Sequence, residues 1–209
     1  MTQQRGRRSV DERREQLVDA TIAILASDGL AAATTRRITD EAGLALGAFH
    51  YAFRSKDELL RAVIERLARQ VSDVLDGLAN GARRDLPSAV EAVIRGVWDY
   101  VEANPEVQLA QYELTIHALR DPTLRELADW QYDRLADIAV QALDGVPGAP
   151  TGADLVELSR FLVATLDGLI LHHCVQGDLE SARRRLEQCI SSTRDTDWRY
   201  LAVGAMAAR

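Results

Sequence analysis

Two sets of side chains in this chain of 209 residues have types and spacings that could do chemistry. The first is Glu113 and His117, four apart, which on a helix would share one face at metal-compatible spacing, with His172 and His173 as sources of a further ligand. A lone Glu and His pair is far more often a surface contact. There is no glycine-rich phosphate loop, no nucleophile elbow and no cluster of cysteines of metal-binding grade beside it. The chain is therefore expected to hold no metal and no cofactor and not to be an enzyme. An all-helical enzyme acting on small molecules and a protein-interaction module are the alternatives. The enzyme would need a convergent polar pocket, and the module would have no affinity for nucleic acid even at low salt.

The second set suits recognition. Thr35, Arg36 and Arg37 open a short helical segment, where free backbone N–H groups and side chains can meet a phosphate. Ala45, Leu46, Gly47, Ala48, His50 and Tyr51 follow on a second segment. There Leu46 and Ala48 can touch thymine methyl groups, Gly47 lets the backbone come close, and His50 and Tyr51 offer hydrogen bonds to phosphate or base edges. Lys56 is the only lysine of the chain and sits in the first turn of a long helical segment, where a cation opposes the helix dipole. A positive charge placed there suits an external phosphate.

The elements that must hold this second set can be read from the same stretch. Ile38 and Ala42 lie one turn apart and can lay a small apolar stripe on a core, after which Gly43 stops the helix by taking a left-handed backbone. The next helix turns Phe49 and Phe53 inward and leaves Leu46, Ala48, His50 and Tyr51 on or near the opposite side. Two helices joined by a tight glycine turn form a helix-turn-helix, whose second helix enters the DNA major groove. Upstream, Ser9 and Glu12 have capping-box spacing and open a bracing helix that carries Leu17, Ile22 and Leu25 and stops at Gly29. Downstream, Ser55 and Glu58 repeat that spacing ahead of a long helix expected to end at Asn80–Gly81.

With Thr34, Thr35, Ile38, Ala42, Gly43, Gly47, Phe53, Ser55, Lys56 and Leu59 in register, this stretch resembles the N-terminal domain of the tetracycline-repressor (TetR) family of transcription regulators. The likeness covers about the first quarter of the chain. Ala45 replaces a frequent Ser, so the second helix loses a hydroxyl cap. His50 occupies the usual Tyr position with Tyr51 beside it, and Ala52 replaces a His. The resemblance implies a DNA-binding domain over residues 1–54, with a basic N-terminal arm, and a ligand-binding and dimerisation helical domain over residues 55–209. It implies a homodimer on a palindromic double-stranded operator, in most cases a repressor released by a small-molecule effector.

Composition and charge agree with that division. The chain is 47% hydrophobic and 27% charged, ordinary for a globular protein. Its net charge of −7 first argues against nucleic acid, yet residues 1–60 balance to zero and all the excess acid lies beyond them. Arg5, Arg7 and Arg8 have no acidic neighbour and could supplement phosphate contacts. No apolar run is long enough to span a bilayer and no signal peptide is evident, so a cytoplasmic protein is expected. Cys174 and Cys189 are expected to be ordinary buried thiols.

The remainder reads as helix throughout, giving an all-α fold: a three-helix DNA-binding domain followed by a helical bundle. Pro87, Asn104–Pro105 and Asp121–Pro122 mark helix starts, the last for a helix over residues 123–143, and Gly145 to Pro150 form the one loop rich in breakers. Two long C-terminal helices follow, one carrying Leu155, Leu158, Phe161, Leu162, Leu166, Leu169 and Ile170, the other Leu179, Ala182, Leu186 and Ile190. The apolar positions go more than one way around, and the resemblance implies that both helices pair with their copies in a second subunit. Trp98, Tyr112, His117, Trp130 and Phe161 are the candidates for lining an effector cavity, since aromatic walls with a few polar groups suit such pockets. The tail from Ser191 to Asp197 is polar, and Trp198 to Ala208 is expected to form a short docked helix.

Overall fold

The computed structural model describes residues 10–82 and 85–194, and the regular structure among them is helical without a strand. In order come α1 (Val10–Asp28), a 3-10 turn (Leu30–Ala32), α2 (Thr35–Glu41), α3 (Gly47–Ala52), α4 (Lys56–Ala82), α5 (Leu86–Ala103), α6 (Pro105–Arg120), α7 (Arg125–Leu143), α8 (Ala153–Gln176) and α9 (Leu179–Arg194). Ser9, Arg5, Arg7, Arg8 and the expected helix from Trp198 to Ala208 lie outside the described residues.

The breakers act where expected, with two exceptions. Gly29 leaves α1 at φ 76°, and Gly177 ends α8 at φ 66° with its N–H on the His173 carbonyl. Asp85 caps α5 by accepting from Ser88 N–H at 2.9 Å, with Pro87 in the first turn. Asn104 closes α5 and Pro105 opens α6. The long α4, however, runs through Asn80–Gly81 to Ala82 instead of stopping there. A single internal glycine costs a helix only about 1 kcal/mol, which the apolar face of a helix this long can offset. The seventh helix also starts later than Thr123, at Arg125, because the Asp121 carboxylate accepts from the Thr123 N–H and hydroxyl and holds a turn there.

The chain forms two compact units, one of Met1–Leu67 with Glu106–Ala128 and the other of Ala68–Pro105 with Asp129–Arg209. In the first, α1 packs on α2 and α3, which also touch each other. Leu17, Leu25, Ile38, Phe49, Phe53, Leu59 and Leu60 are buried there. Arg66 on α4 bridges back to Asp19 on α1 at 2.7 Å and to Glu15. The α6 segment belongs to this unit, and Glu113 on it accepts from the Leu30 N–H at 2.7 Å, capping the 3-10 turn. A Cβ on Gly29 would stand 3.0 Å from that carboxylate, so the glycine serves both the turn and the approach. Glu113 is thus engaged in the fold, His117 is exposed, and no group of metal-binding side chains exists among the described residues.

In the second unit α5, α8 and α9 pack mutually. Arg95 on α5 forks onto Glu187 of α9 at 2.6 and 2.8 Å and onto Glu91 at 2.9 Å, and Arg194 pairs with Glu91. The Trp98 indole N–H donates to Glu102 at 3.1 Å, and Arg183 reaches the same carboxylate from α9. Arg183 first, then Trp98, holds the Glu102 carboxyl below the usual range. Both cysteines are free and half-buried rather than buried, and burial pushes each thiol up. Among the described residues no helix is long and apolar enough to cross a membrane.

Candidate nucleic-acid interface

The turn between α2 and α3 is built by backbone hydrogen bonds around one left-handed glycine. Gly43, at φ 64°, donates to the Asp40 carbonyl at 3.1 Å, and Leu44 donates to the Thr39 carbonyl at 2.9 Å. This pair of crossed bonds is the Schellman closure of a helix, and it satisfies carbonyls that α2 would otherwise leave open. At the other end of α2 the Thr34 hydroxyl accepts from the Arg37 N–H at 3.3 Å. The following helix starts without such help. Its N-cap is Leu46, one residue after the alanine at position 45, and an apolar leucine makes no side-chain cap bond.

Six residues of α3 then separate two faces. Phe49 and Ala52 are buried, and the Phe49 and Phe53 rings lie 5.9 Å apart. On the other side Ala45, Leu46, Gly47, His50 and Tyr51 are exposed and Ala48 is half-exposed. Tyr51 is 78% exposed and Leu46 52%, so both side chains face solvent. His50 stands edge-on to Phe49, with ring centroids 5.6 Å apart.

The charges around this face are of two kinds. The Arg36 side chain is 87% exposed, with only a long 3.9 Å contact to Asp40 among the described residues, and Lys56 is exposed at the start of α4. Thr35 is half-buried beside them. Arg37 is different: it is paired with Asp28 at 2.5 Å. The Ser27 hydroxyl first, and then Arg37, keeps the Asp28 carboxyl below its usual range. Arg37 must therefore exchange a partner to reach a phosphate, while Arg36 and Lys56 need not.

The structure adds residues that the sequence did not single out. Arg14 on α1 donates to the carbonyl of Ala52 and to Glu58 at 2.9 Å, and its guanidinium lies 4.1 Å over the Phe53 ring. Glu58 also accepts from the Arg54 N–H at 2.8 Å while its own N–H donates to Ser55 at 3.1 Å, so the capping box closes on Arg54 rather than on Ser55. No periodicity links position 14 to positions 52 and 58. A second omission had a visible signal: Glu157, Phe161, Ala164, Gly168, Leu171 and Val175 are exposed at spacings of four and three along α8, in a row of small and large apolar groups behind one carboxylate.

The candidates for an effector cavity fall in different units. Trp98, at 2% exposure, and Trp130, half-buried, belong to the second unit, where the His173 ring lies 5.4 Å from Trp98. Phe161, in the same unit, is exposed. Tyr112, half-buried, and His117, exposed, are carried by α6 in the first unit. An open groove of about 650 Å³ runs along α9 beside Leu179, Arg183 and Glu187, and none of the five candidates lines it.

Known proteins share this arrangement. Residues 17–63 match the family model described as bacterial regulatory proteins of the tetR family, and residues 83–192 match the tetracyclin repressor-like C-terminal domain. The chain is 29% identical over 170 residues, spanning 79% of it and 85% of the relative, to the HTH-type nicotine-responsive transcriptional repressor HdnoR of Paenarthrobacter nicotinovorans. It is 30% identical to the HTH-type transcriptional regulator BetI 2 of Chromohalobacter salexigens, with 83% of each chain covered. Among solved structures, a TetR-family member of Streptomyces coelicolor, SCO1917, superposes with a TM-score of 0.62 at 26% identity, over 85% of this chain and 97% of that one. The multidrug binding protein EbrR complexed with imidazole gives 0.61 at 26% identity, over 85% of this chain and 89% of that one. With an exposed α3 behind a glycine turn, and both halves of the chain matched, this protein belongs to the TetR family of helix-turn-helix transcriptional regulators and is not an enzyme.

Proposed function

We propose that this regulator binds a palindromic operator as a homodimer, with residues 1–54 reading DNA and residues 55–209 serving dimerisation and effector binding, and that it represses until a small molecule releases it. The observation that carries the dimer is the row Phe161, Ala164, Gly168, Leu171 and Val175 on α8. An apolar row with a repeat near 3.5 residues suits a second helix of the same kind, and small residues at its middle let two axes approach closely. A two-fold pair of such rows is self-complementary, and its symmetry calls for an inverted repeat in the DNA. We assign the DNA contacts to Thr35, Arg36 and Arg37 on α2, to Ala45 through Tyr51 around α3, and to Lys56.

Effector response is supported by the relatives. HdnoR is nicotine-responsive by name, and EbrR has been crystallised with imidazole, ethidium and malachite green. We assign the lining of an effector site in the second unit to Trp98 and Trp130, and Phe161 to the dimer seam. An effector releases DNA only by binding the non-operator state more tightly than the operator-bound one. Selection of sites from random duplexes tests the reading, together with sedimentation of the free protein. The expected result is an inverted repeat bound by a dimer with steep salt dependence. A monomer in solution, or selected sites without two-fold symmetry, would sink it.

A further inference from the structure

α3 is a helix that cannot hold itself in place. Six residues are far below the length at which a helix is stable alone, and its start has no side-chain cap. Phe49 and Ala52 anchor one face by apolar contact, which is non-directional and restrains the roll of the helix less sharply than a hydrogen bond does. A directional contact that stops such a roll sits at its C-terminal end.

We propose that Arg14 is a positioning residue for DNA recognition, setting the roll of α3 without itself touching DNA. Its guanidinium donates to the Ala52 carbonyl, one of the acceptors that the end of α3 leaves open, and its positive charge lies at the negative end of that helix. The same group stacks on Phe53, the first residue after α3, and pairs with Glu58 in the first turn of α4. Glu58 in turn accepts from the Arg54 N–H, inside the three-residue link between the helices. One guanidinium nitrogen, Nη1, on α1 therefore ties the end of α3 to the start of α4, while the flat face of the same group lies on Phe53, a combination that arginine alone provides. The Arg54 N–H first, then Arg14, holds the Glu58 carboxyl below the usual range, so this partner stays charged at neutral pH.

The inference rests on α3 being the DNA-reading helix, and the experiment separates the two ideas. Binding of the full-length wild type, Arg14→Ala and Arg14→Lys to the duplex selected above and to a scrambled one is followed by fluorescence anisotropy over a range of salt concentrations. Loss of a correctly aimed contact should weaken Arg14→Ala on the selected duplex by about tenfold, the worth of one base pair in a recognition site. Binding to the scrambled duplex should change little, and the salt slope on the selected one should stay at its wild-type value. Arg14→Lys keeps the charge but not the flat face that lies on Phe53, so it should lose at least about threefold of the same selectivity. A fall on both duplexes with the slope reduced by about 1 would mean that Arg14 is itself a phosphate contact, and would overturn the proposal. Wild-type affinity in Arg14→Ala, or full rescue by lysine, would overturn it as well. If circular dichroism finds Arg14→Ala unfolded at the assay temperature, Arg14→Lys decides alone by the same criterion. Failure of the wild type to prefer any duplex would strike at the proposed function instead.

Discussion

α3 and α8 both turn apolar side chains toward water, yet they do so in ways that ask for different partners. Around α3 the exposed Leu46 and Tyr51 are scattered among an imidazole, a glycine and an alanine, with exposed Arg36 on α2 and exposed Lys56 at the start of α4. Such a face meets methyl groups, base edges and phosphates in turn. On α8 the exposed Phe161, Leu171 and Val175 belong to one continuous row over many turns. Such a row suits another apolar surface, as in the proposed dimer. The two helices also differ in what orients them. α8 runs for 24 residues and is oriented by packing on α5 and α9, whereas the six-residue α3 is tied at its end by Arg14 of α1.

The largest test of this contrast is a charge in the seam. Leu171→Arg should convert the dimer to a monomer and weaken operator binding by on the order of 100-fold or more, because the second reading head then binds without the effective concentration of the first. Sedimentation velocity and anisotropy measure the two effects. If the variant stays dimeric, the row on α8 is not the interface. The corresponding change on the head is milder. Leu46→Ala and Tyr51→Ala should each cost about tenfold on the selected duplex, little on a scrambled one, and nothing in oligomeric state. A variant that changes the dimer but not the binding would reverse the assignment of the two surfaces.

Much of this was legible in the sequence, and what was not follows a physical pattern. Helix ends governed by one residue and its immediate neighbours could be read directly, as at Gly29, Pro87, Asn104 and Gly177. The end of α4 could not, because the Asn80–Gly81 stop signal is weak against a long amphipathic helix. The exposed face of α3 follows from Phe49 and Phe53 pointing inward, and Leu46, His50 and Tyr51 stand where that spacing sends them. The heptad row on α8 was present in the chain but hidden, since the buried set Leu155, Leu158, Leu162, Leu166 and Ile170 makes the helix apolar on two sides at once. The link from Arg14 to Ala52 and Glu58 leaves no local trace, because it joins residues 38 and 44 positions apart. Nor does composition tell Arg36 from Arg37, of which one is exposed and the other is held by Asp28.

The turn that separates the two helices of the head gives a smaller effect. At Gly43 nothing lies within 4 Å of an added Cβ, so the cost of Gly43→Ala is purely that of holding a side-chain-bearing residue at φ 64°. That cost is about 1–2 kcal/mol, and it should appear as a lower melting temperature of a protein that still dimerises. Full stability in the variant would mean that the left-handed turn is not required.

The smallest effect is expected at Lys56, and there two signs must come out opposite. The first turn of α4 holds Asp57 and Glu58, which suit the positive end of a helix, and Lys56, which does not. Removing that cation should leave the fold as stable as before or more so, by at most about 1 kcal/mol. If the exposed ammonium instead neutralises a phosphate, Lys56→Ala should weaken binding by a few-fold on selected and scrambled duplexes alike. It should also lower the salt slope by about 1. This is the reverse of the behaviour expected at Tyr51, where the selected duplex alone suffers and the slope stays put. Thermal melts and salt titrations of the same preparations separate the possibilities. A slope that does not move would take Lys56 off the DNA and leave its unfavourable place on α4 without a partner to explain it.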